Sequence, residues 1–461
     1  MRTTLLATVV VAVLNVNSVF AASDIELLKQ QLGVLKSNYE QRIVALEKRL
    51  EQAENKAVQA SDKVQVVENK MVQQEKKVAS FSTKSNFNPD ISLILDGRFA
   101  SFDNEADDYE LPGFALGGEA GLGEEGFSLG HTELVMSATI DNLFFGKATI
   151  VLDDHDGEIE LELEEAYIQT LGLGHGVTVK AGRFASNLGY LNEQHEHAWD
   201  FADAPLIYRG LFGNRLYDDG VQISYVAPTD LFIEVGAEAF RGSRFPAGGE
   251  QADVGAWTAY ANVGGDIGIE HSWQMGVGHW RADDIEDRTS GGHSHGGGAD
   301  EIPSFAGDSH INAFDVVYKW APNGNPKNRN FKFQFEYFER EEDGVVALLN
   351  SAPLEETSYD GDQSGWYAQG VYQFKPQWRM GVRYDELDSS NSGSDFDVLG
   401  EAGLDNEGHT PKRFSAMLEW VPSEFSRIRL QYNHDESYED TGDQLFIQYT
   451  HSLGSHGAHA F

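Results

Sequence analysis

Phe331-Lys332-Phe333-Gln334-Phe335-Glu336-Tyr337 decides the fold: an aromatic ring alternates with a long polar side chain along the stretch. A period of two marks a β-strand with one apolar and one polar face. The alternation recurs in Ile91-Ser92-Leu93-Ile94-Leu95, Val177-Thr178-Val179-Lys180-Ala181 and Ile428-Arg429-Leu430-Gln431-Tyr432. It predicts strands near residues 90–101, 130–141, 143–153, 158–170, 175–184, 215–226, 230–241, 253–264, 270–282, 308–320, 328–341, 363–374, 377–387, 411–421, 424–436 and 442–461.

The connections between these strands sort by length. Asp141-Asn142, Gly172-Leu173-Gly174, Ala227-Pro228-Thr229, Lys375-Pro376 and Pro422-Ser423 are tight turns, whereas 102–129, 185–214, 283–307, 342–362 and 388–410 are long. Short turns on one side and long loops on the other belong to an all-β transmembrane barrel of about 16 antiparallel strands with a periplasmic N-terminus. A soluble sandwich explains the alternation but not the one-sided lengthening. Trp273, Trp280, Trp320, Trp366, Tyr367, Tyr372, Trp378, Tyr384 and Trp420 fall near strand ends, where interfacial girdles form. The mean hydropathy of -0.40 agrees with this reading, because only alternate residues of a barrel strand face lipid.

Upstream, the period changes. Met1, Arg2, the apolar run Leu5 to Val13 and the small-residue site Val19-Phe20-Ala21 read as a cleaved signal peptide over 1–21. From Ile25 the apolar residues follow a 3-4 spacing through Leu28, Leu32, Leu35, Tyr39, Ile43, Leu46 and Leu50 to Val78, predicting a periplasmic α-helical coiled coil over 22–80. So thin a stripe needs partners and implies self-association, with an antiparallel helical hairpin as the alternative. Residues 81–89 are a linker, and 90–461 form the outer-membrane barrel of a Gram-negative cell.

The chain has no cysteine, and its formal charge is -40. The coiled-coil segment is nearly neutral, so the acidity belongs to the barrel domain. Such a surface repels nucleic acid and gathers cations. Passive diffusion of small polar solutes, with cations preferred, follows as the leading function.

The connection 185–214 is long and aromatic, and it is expected to fold into the lumen as a constriction, with an external lid or subunit-contact loop as the alternative. Glu193, Asp200 and Asp203 would then face Arg183, Arg209 and Arg215 across the pore, unless these groups form ordinary loop salt bridges. His195-Glu196-His197 in the same loop and His293-Ser294-His295 in a Gly-rich tip offer imidazole and carboxylate ligands for Zn²⁺, as a bound or transported ion. Glu162, Glu164 and Glu165 read as residues of a lumen-facing strand and its neighbour. The spacing Gly-x-Ser-x-Gly occurs at Gly126 to Gly130 and at Gly292 to Gly296, but within or at the end of long connections rather than at the strand-to-helix turn of a nucleophile elbow. No His-Glu-x-x-His occurs, and His155 between Asp154 and Asp156 sits in a turn, so an enzyme is not expected.

The whole pattern resembles the outer-membrane porin superfamily, most nearly the phosphate-selective porin O/P group, which implies a periplasmic helix before a 16-stranded trimeric barrel. Phe114-Ala115-Leu116-Gly117-Gly118-Glu119-Ala120-Gly121-Leu122-Gly123-Glu124-Glu125-Gly126, Trp320-Ala321-Pro322-Asn323-Gly324-Asn325-Pro326-Lys327-Asn328-Arg329-Asn330 and Ser455-His456-Gly457-Ala458-His459-Ala460-Phe461 also resemble a proteobacterial family often labelled zinc-regulated TonB-dependent outer membrane receptor. That label implies a zinc-responsive metal-uptake receptor or channel. TonB-dependent receptors resemble 22-stranded barrels with a globular plug, whereas the residues after Phe87 supply about 16 strands and no plug. Phosphate selectivity calls for a ladder of Arg and Lys, which the acidic domain does not suggest. By resemblance, Phe461 is the last-residue signal read by the barrel-assembly machinery. A structural or adhesive outer-membrane protein is the third reading.

Overall fold

A computed structural model describes residues 89–454 apart from 107–108, 118–119, 156–157, 250–252, 291–301, 352 and 438–440. The expected signal peptide, coiled coil and nearly all of the linker lie outside the described residues, as do His293, His295 and Phe461.

The strands are β1 (Asp90–Phe102), β2 (Gly126–Leu129), β3 (Thr132–Thr139), β4 (Phe144–His155), β5 (Glu158–Thr170), β6 (Val177–Ala185), β7 (Tyr217–Val226), β8 (Phe232–Phe240) and β9 (Ala256–Ile267). They continue with β10 (His271–Thr289), β11 (Pro303–Trp320), β12 (Asn330–Leu348), β13 (Glu355–Lys375), β14 (Trp378–Gly393), β15 (Lys412–Ser423), β16 (Ser426–Glu436) and β17 (Gly442–Gly454). Two short helices, α1 (Leu206–Phe212) and α2 (Phe396–Glu401), lie in long connections. Each strand pairs antiparallel with its sequence neighbour, and β1 closes the ring on β17 from Ser92 opposite Gly454 to Phe102 opposite Gln444. On its other edge β1 pairs with both β2 and β3, which together are one strand interrupted at Gly130-His131. The result is a closed 16-strand antiparallel barrel with one extra strand segment.

Three of the expected long loops are partly strand. β10 runs on to Thr289 and β11 starts at Pro303, while β12, β13 and β14 reach Leu348, Glu355 and Gly393, so hairpins fill most of 342–362 and part of 283–307 and 388–410. Their sequences hide this because the outward positions there are acidic or small, such as Glu341, Asp343, Asp360 and Asp362, and the apolar alternation stops. The barrel is therefore tall on one side and low on the other: β13 has 21 residues and β8 has 9.

The strands are inside out relative to a soluble protein. In β16, Arg429, Gln431, Asn433 and Asp435 are wholly buried, while Ile428, Leu430 and Tyr432 are 37–45% exposed. In β12, Gln334, Glu336 and Arg340 are buried in the same way. Charged groups are buried only when paired, so each needs a partner inside the barrel. Trp378 and Trp420 stack at 6.3 Å beside the short turns. Trp280 and Tyr367, expected in a girdle, instead turn inward and are 1% and 0% exposed. They belong to an apolar cluster inside the ring, where Phe338, Tyr367 and Leu387 of the wall meet Phe114, Ile207, Leu211 and Phe212 from two inward connections. The barrel's own loops narrow it.

Candidate functional site

The connection from Ser186 to Leu216 enters the barrel and is stapled at its base by Asn192. Its side-chain nitrogen donates to the carbonyls of Ser186 and Leu216, and its oxygen accepts from the Leu216 N–H, all at 2.7 Å. Glu238 accepts from the Ser186 hydroxyl at 2.5 Å and from the Asn187 N–H at 3.0 Å. Beyond the base, every residue of α1 is buried, and the Tyr208 ring meets Phe338 edge-on at 5.3 Å while its hydroxyl donates to Glu336 at 2.8 Å. A seven-residue helix is marginal alone; packing and its left-handed Gly213 cap hold it.

The far wall grips the loop with arginine. Arg340, Arg383, Arg413 and Arg429 point inward from β12, β14, β15 and β16, each at most 1% exposed. Arg383 and Arg413 reach Asp203 at 2.8 and 2.9 Å, and Arg209 stands 3.7 Å away. Arg429 donates to the Trp199 carbonyl at 2.6 Å and to Glu419 at 2.8 Å. Asp200 is held by Lys332 and Arg379. Burial alone would raise both aspartates, but the cations outweigh it and hold their carboxyls well below the usual carboxylate range.

The opposite wall, β3 to β5, presents acids and histidine. Two irregularities aim them: the break at Gly130-His131 between β2 and β3, and a bulge where Thr149 faces Glu165 while Ile150 already faces Leu163. The extra residue of that bulge is Glu164, so two sequential carboxylates both turn inward. His195 then stands 3.1 Å from Glu164 by Nδ1 and 2.8 Å from Glu165 by Nε2. His197 Nδ1 lies 2.6 Å from Glu133. Lys147 pairs with Glu165 at 2.7 Å, and Arg215 pairs with Glu164. Burial would push the His195 imidazolium down, yet Glu133 and Glu164 together lift it to about 9.

The same loop segment separates two cavities. One of about 810 Å³ on the short-turn side is lined by Glu193, Asp200, Glu234, Asp315, Lys319 and Lys332 among others. The other, about 570 Å³ on the long-loop side, has seven acids (Glu105, Glu124, Glu125, Glu162, Glu164, Glu196 and Asp203) against Arg98, Arg209 and Arg215.

The expected site residues are thus partly gathered. Asp200, Asp203 and Arg209 meet the arginine wall, Glu193 approaches Lys180 at 3.9 Å, and Arg215 joins the acidic wall. Arg183 stands apart: odd residues at this end of β6 face outward, and it binds Asp219 at 2.8 Å, so it does not face the constriction. Sequence reading missed Glu133, His131 and the arginines of the far wall. The parity of Val382-Arg383-Tyr384 and Ile428-Arg429-Leu430 carries that last signal: an arginine between two outward apolar residues points inward. The far wall thus carries inward arginines despite the acidic total, which also counts acids on outward hairpin positions.

The fold and site define a 16-stranded barrel narrowed by its own inward loop. The chain belongs to the family of an uncharacterized protein of Aquifex aeolicus (strain VF5), to which it is 31% identical over 418 residues, 84% of this chain and 82% of the relative. No family model matches. Among solved structures, it is similar to a loop L8 deletion mutant of OmpT, an outer membrane protein of Vibrio cholerae, at TM-score 0.48 and 12% identity, covering 79% of this chain and 99% of that one. It is also similar to the outer membrane channel DcaP of Acinetobacter baumannii (TM-score 0.47, 12% identity, 80% and 99% covered) and to OprB of Pseudomonas putida (TM-score 0.44, 12% identity, 79% and 94% covered).

Proposed function

We propose that this chain is an outer-membrane porin that lets small polar solutes diffuse passively through a constriction, with a preference for cations. The inverted strands carry the membrane reading: a ring whose outward positions are Ile428, Leu430, Tyr432 and their equivalents, and whose inward positions are charged, suits a lipid exterior and an aqueous or loop-filled interior. The inward loop between two cavities supplies the selectivity element. Preference for cations rests on the acid excess of the long-loop cavity, which concentrates positive solutes ahead of the narrow zone. Assembly as a homotrimer, with the N-terminal segment in the periplasm, completes the reading.

Purified protein in planar bilayers tests it. Openings in groups of three with a cation-selective reversal potential in a KCl gradient are expected. Failure to conduct would remove the porin reading, and single-step openings would remove the trimer.

A further inference from the structure

Glu133 is completely buried, yet its Oε2 accepts no hydrogen bond, and Nε2 of neighbouring His131 also makes none. A buried polar atom left open calls for an explanation such as an ion. The other carboxylates of this wall already have cations, Glu164 with Arg215 and Glu165 with Lys147. Among these three, Glu133 alone faces imidazoles with no lysine or arginine ion pair. Glu133 Oε1 lies 2.6 Å from His197 Nδ1, its Oε2 lies 3.3 Å from His195 Nδ1, and ligand atoms of the three residues all fall within 4.8 Å of one another.

Tetrahedral Zn²⁺ with bonds of roughly 2.0–2.1 Å places its ligand atoms roughly 3.3 Å apart, a spacing these separations bracket. Two imidazoles and one carboxylate suit a borderline transition cation, whereas Ca²⁺ and Mg²⁺ require oxygen shells. We propose that Glu133, His195 and His197 bind one divalent transition cation of the Zn²⁺ class, with His131, whose Nε2 is 3.8 Å from Glu133, as the nearest further donor. The site bridges the barrel wall and the constriction loop, so an ion there pins the loop to β3. It goes beyond the diffusion reading and does not depend on it, because binding is read at equilibrium on the solubilised barrel.

The experiment uses the full chain, purified without a polyhistidine tag, with His293, His295, His456 and His459→Ala to remove the other His-rich tracts. Titration with Zn²⁺ is expected to show one saturable site per chain in this background. Glu133→Gln and His197→Gln, each placed in it and shown to fold by heat-dependent gel migration, are expected to weaken that site at least about tenfold. X-ray absorption of the parent background loaded with one equivalent of Zn²⁺ needs no folded variant and is expected to show imidazole and carboxylate ligands. Absence of a saturable site, equal affinity in the folded variants, or an oxygen-only shell overturns the proposal. A cluster held by protons alone gives the first of these results.

Discussion

The constriction loop is gripped from two sides, and the grips are built differently. On the β14 to β16 side, Asp203 meets Arg383 and Arg413 within 2.9 Å, and the Ala204 carbonyl accepts from Arg413 at 2.7 Å. On the β3 to β5 side, His195 and His197 meet Glu133, Glu164 and Glu165, and the Glu133 carboxylate keeps an oxygen without a hydrogen bond. A network of buried ion pairs fixes one position, because any displacement strips partners from ions that are almost wholly buried. The histidine side has donors to spare and accommodates a further cation. One wall is a latch and the other a receptor for something small and positive.

The largest effect is expected from cutting the latch. Arg383→Ala with Arg413→Ala leaves Asp203 buried without its two shortest ion pairs, and breaking a buried pair costs about 3–5 kcal/mol. The loop should leave the far wall, so unitary conductance rises and the barrel melts at lower temperature. Unchanged conductance together with unchanged melting would show that packing of α1, not charge, holds the loop.

Acid should cut the same latch without mutation, but late. The carboxyls of Asp200 and Asp203 are depressed in the folded state, so their contribution is present above the unfolded value of about 3.9 and is lost as pH falls through the lower folded value. Trp199 fluorescence should therefore stay flat from pH 7 down to about 4 and change below that. A transition centred in the ordinary carboxylate range or above would contradict the latch.

Much of this was legible in the sequence, and the reason is parity. Phe331 to Tyr337 announces which residues face in, and the length of 185–214 announces the inward loop. The histidine wall was half legible. His195 and His197 are adjacent in the loop, but Glu133 stands 64 residues from His197 and joins it only through barrel closure. Glu164 and Glu165 defeat parity altogether, since alternation would send one of them to the outer face and only the bulge brings both inside. The charge total misled for a related reason: it counts Glu341, Asp343, Asp360 and Asp362 on exposed hairpins together with the lumen.

The smallest expected effect concerns the mouth above the histidine wall. Glu124 and Glu125 line the long-loop cavity, and Glu125 accepts from the Phe102 N–H at 3.3 Å, an exposed contact whose loss should leave the fold intact. Glu124→Gln with Glu125→Gln removes two of the seven acids there. Their influence reaches a passing ion through solvent, so it depends on the Debye length, about 10 Å at 0.1 M salt and about 3 Å at 1 M. The double variant should shift the reversal potential toward neutrality in dilute KCl and leave it unchanged near 1 M. A shift that persists at high salt would place the selecting charge in close contact with the ion. The filter would then be contact with Glu124 and Glu125 themselves rather than the diffuse field of the mouth, whereas no shift even in dilute KCl would move it to the histidine wall.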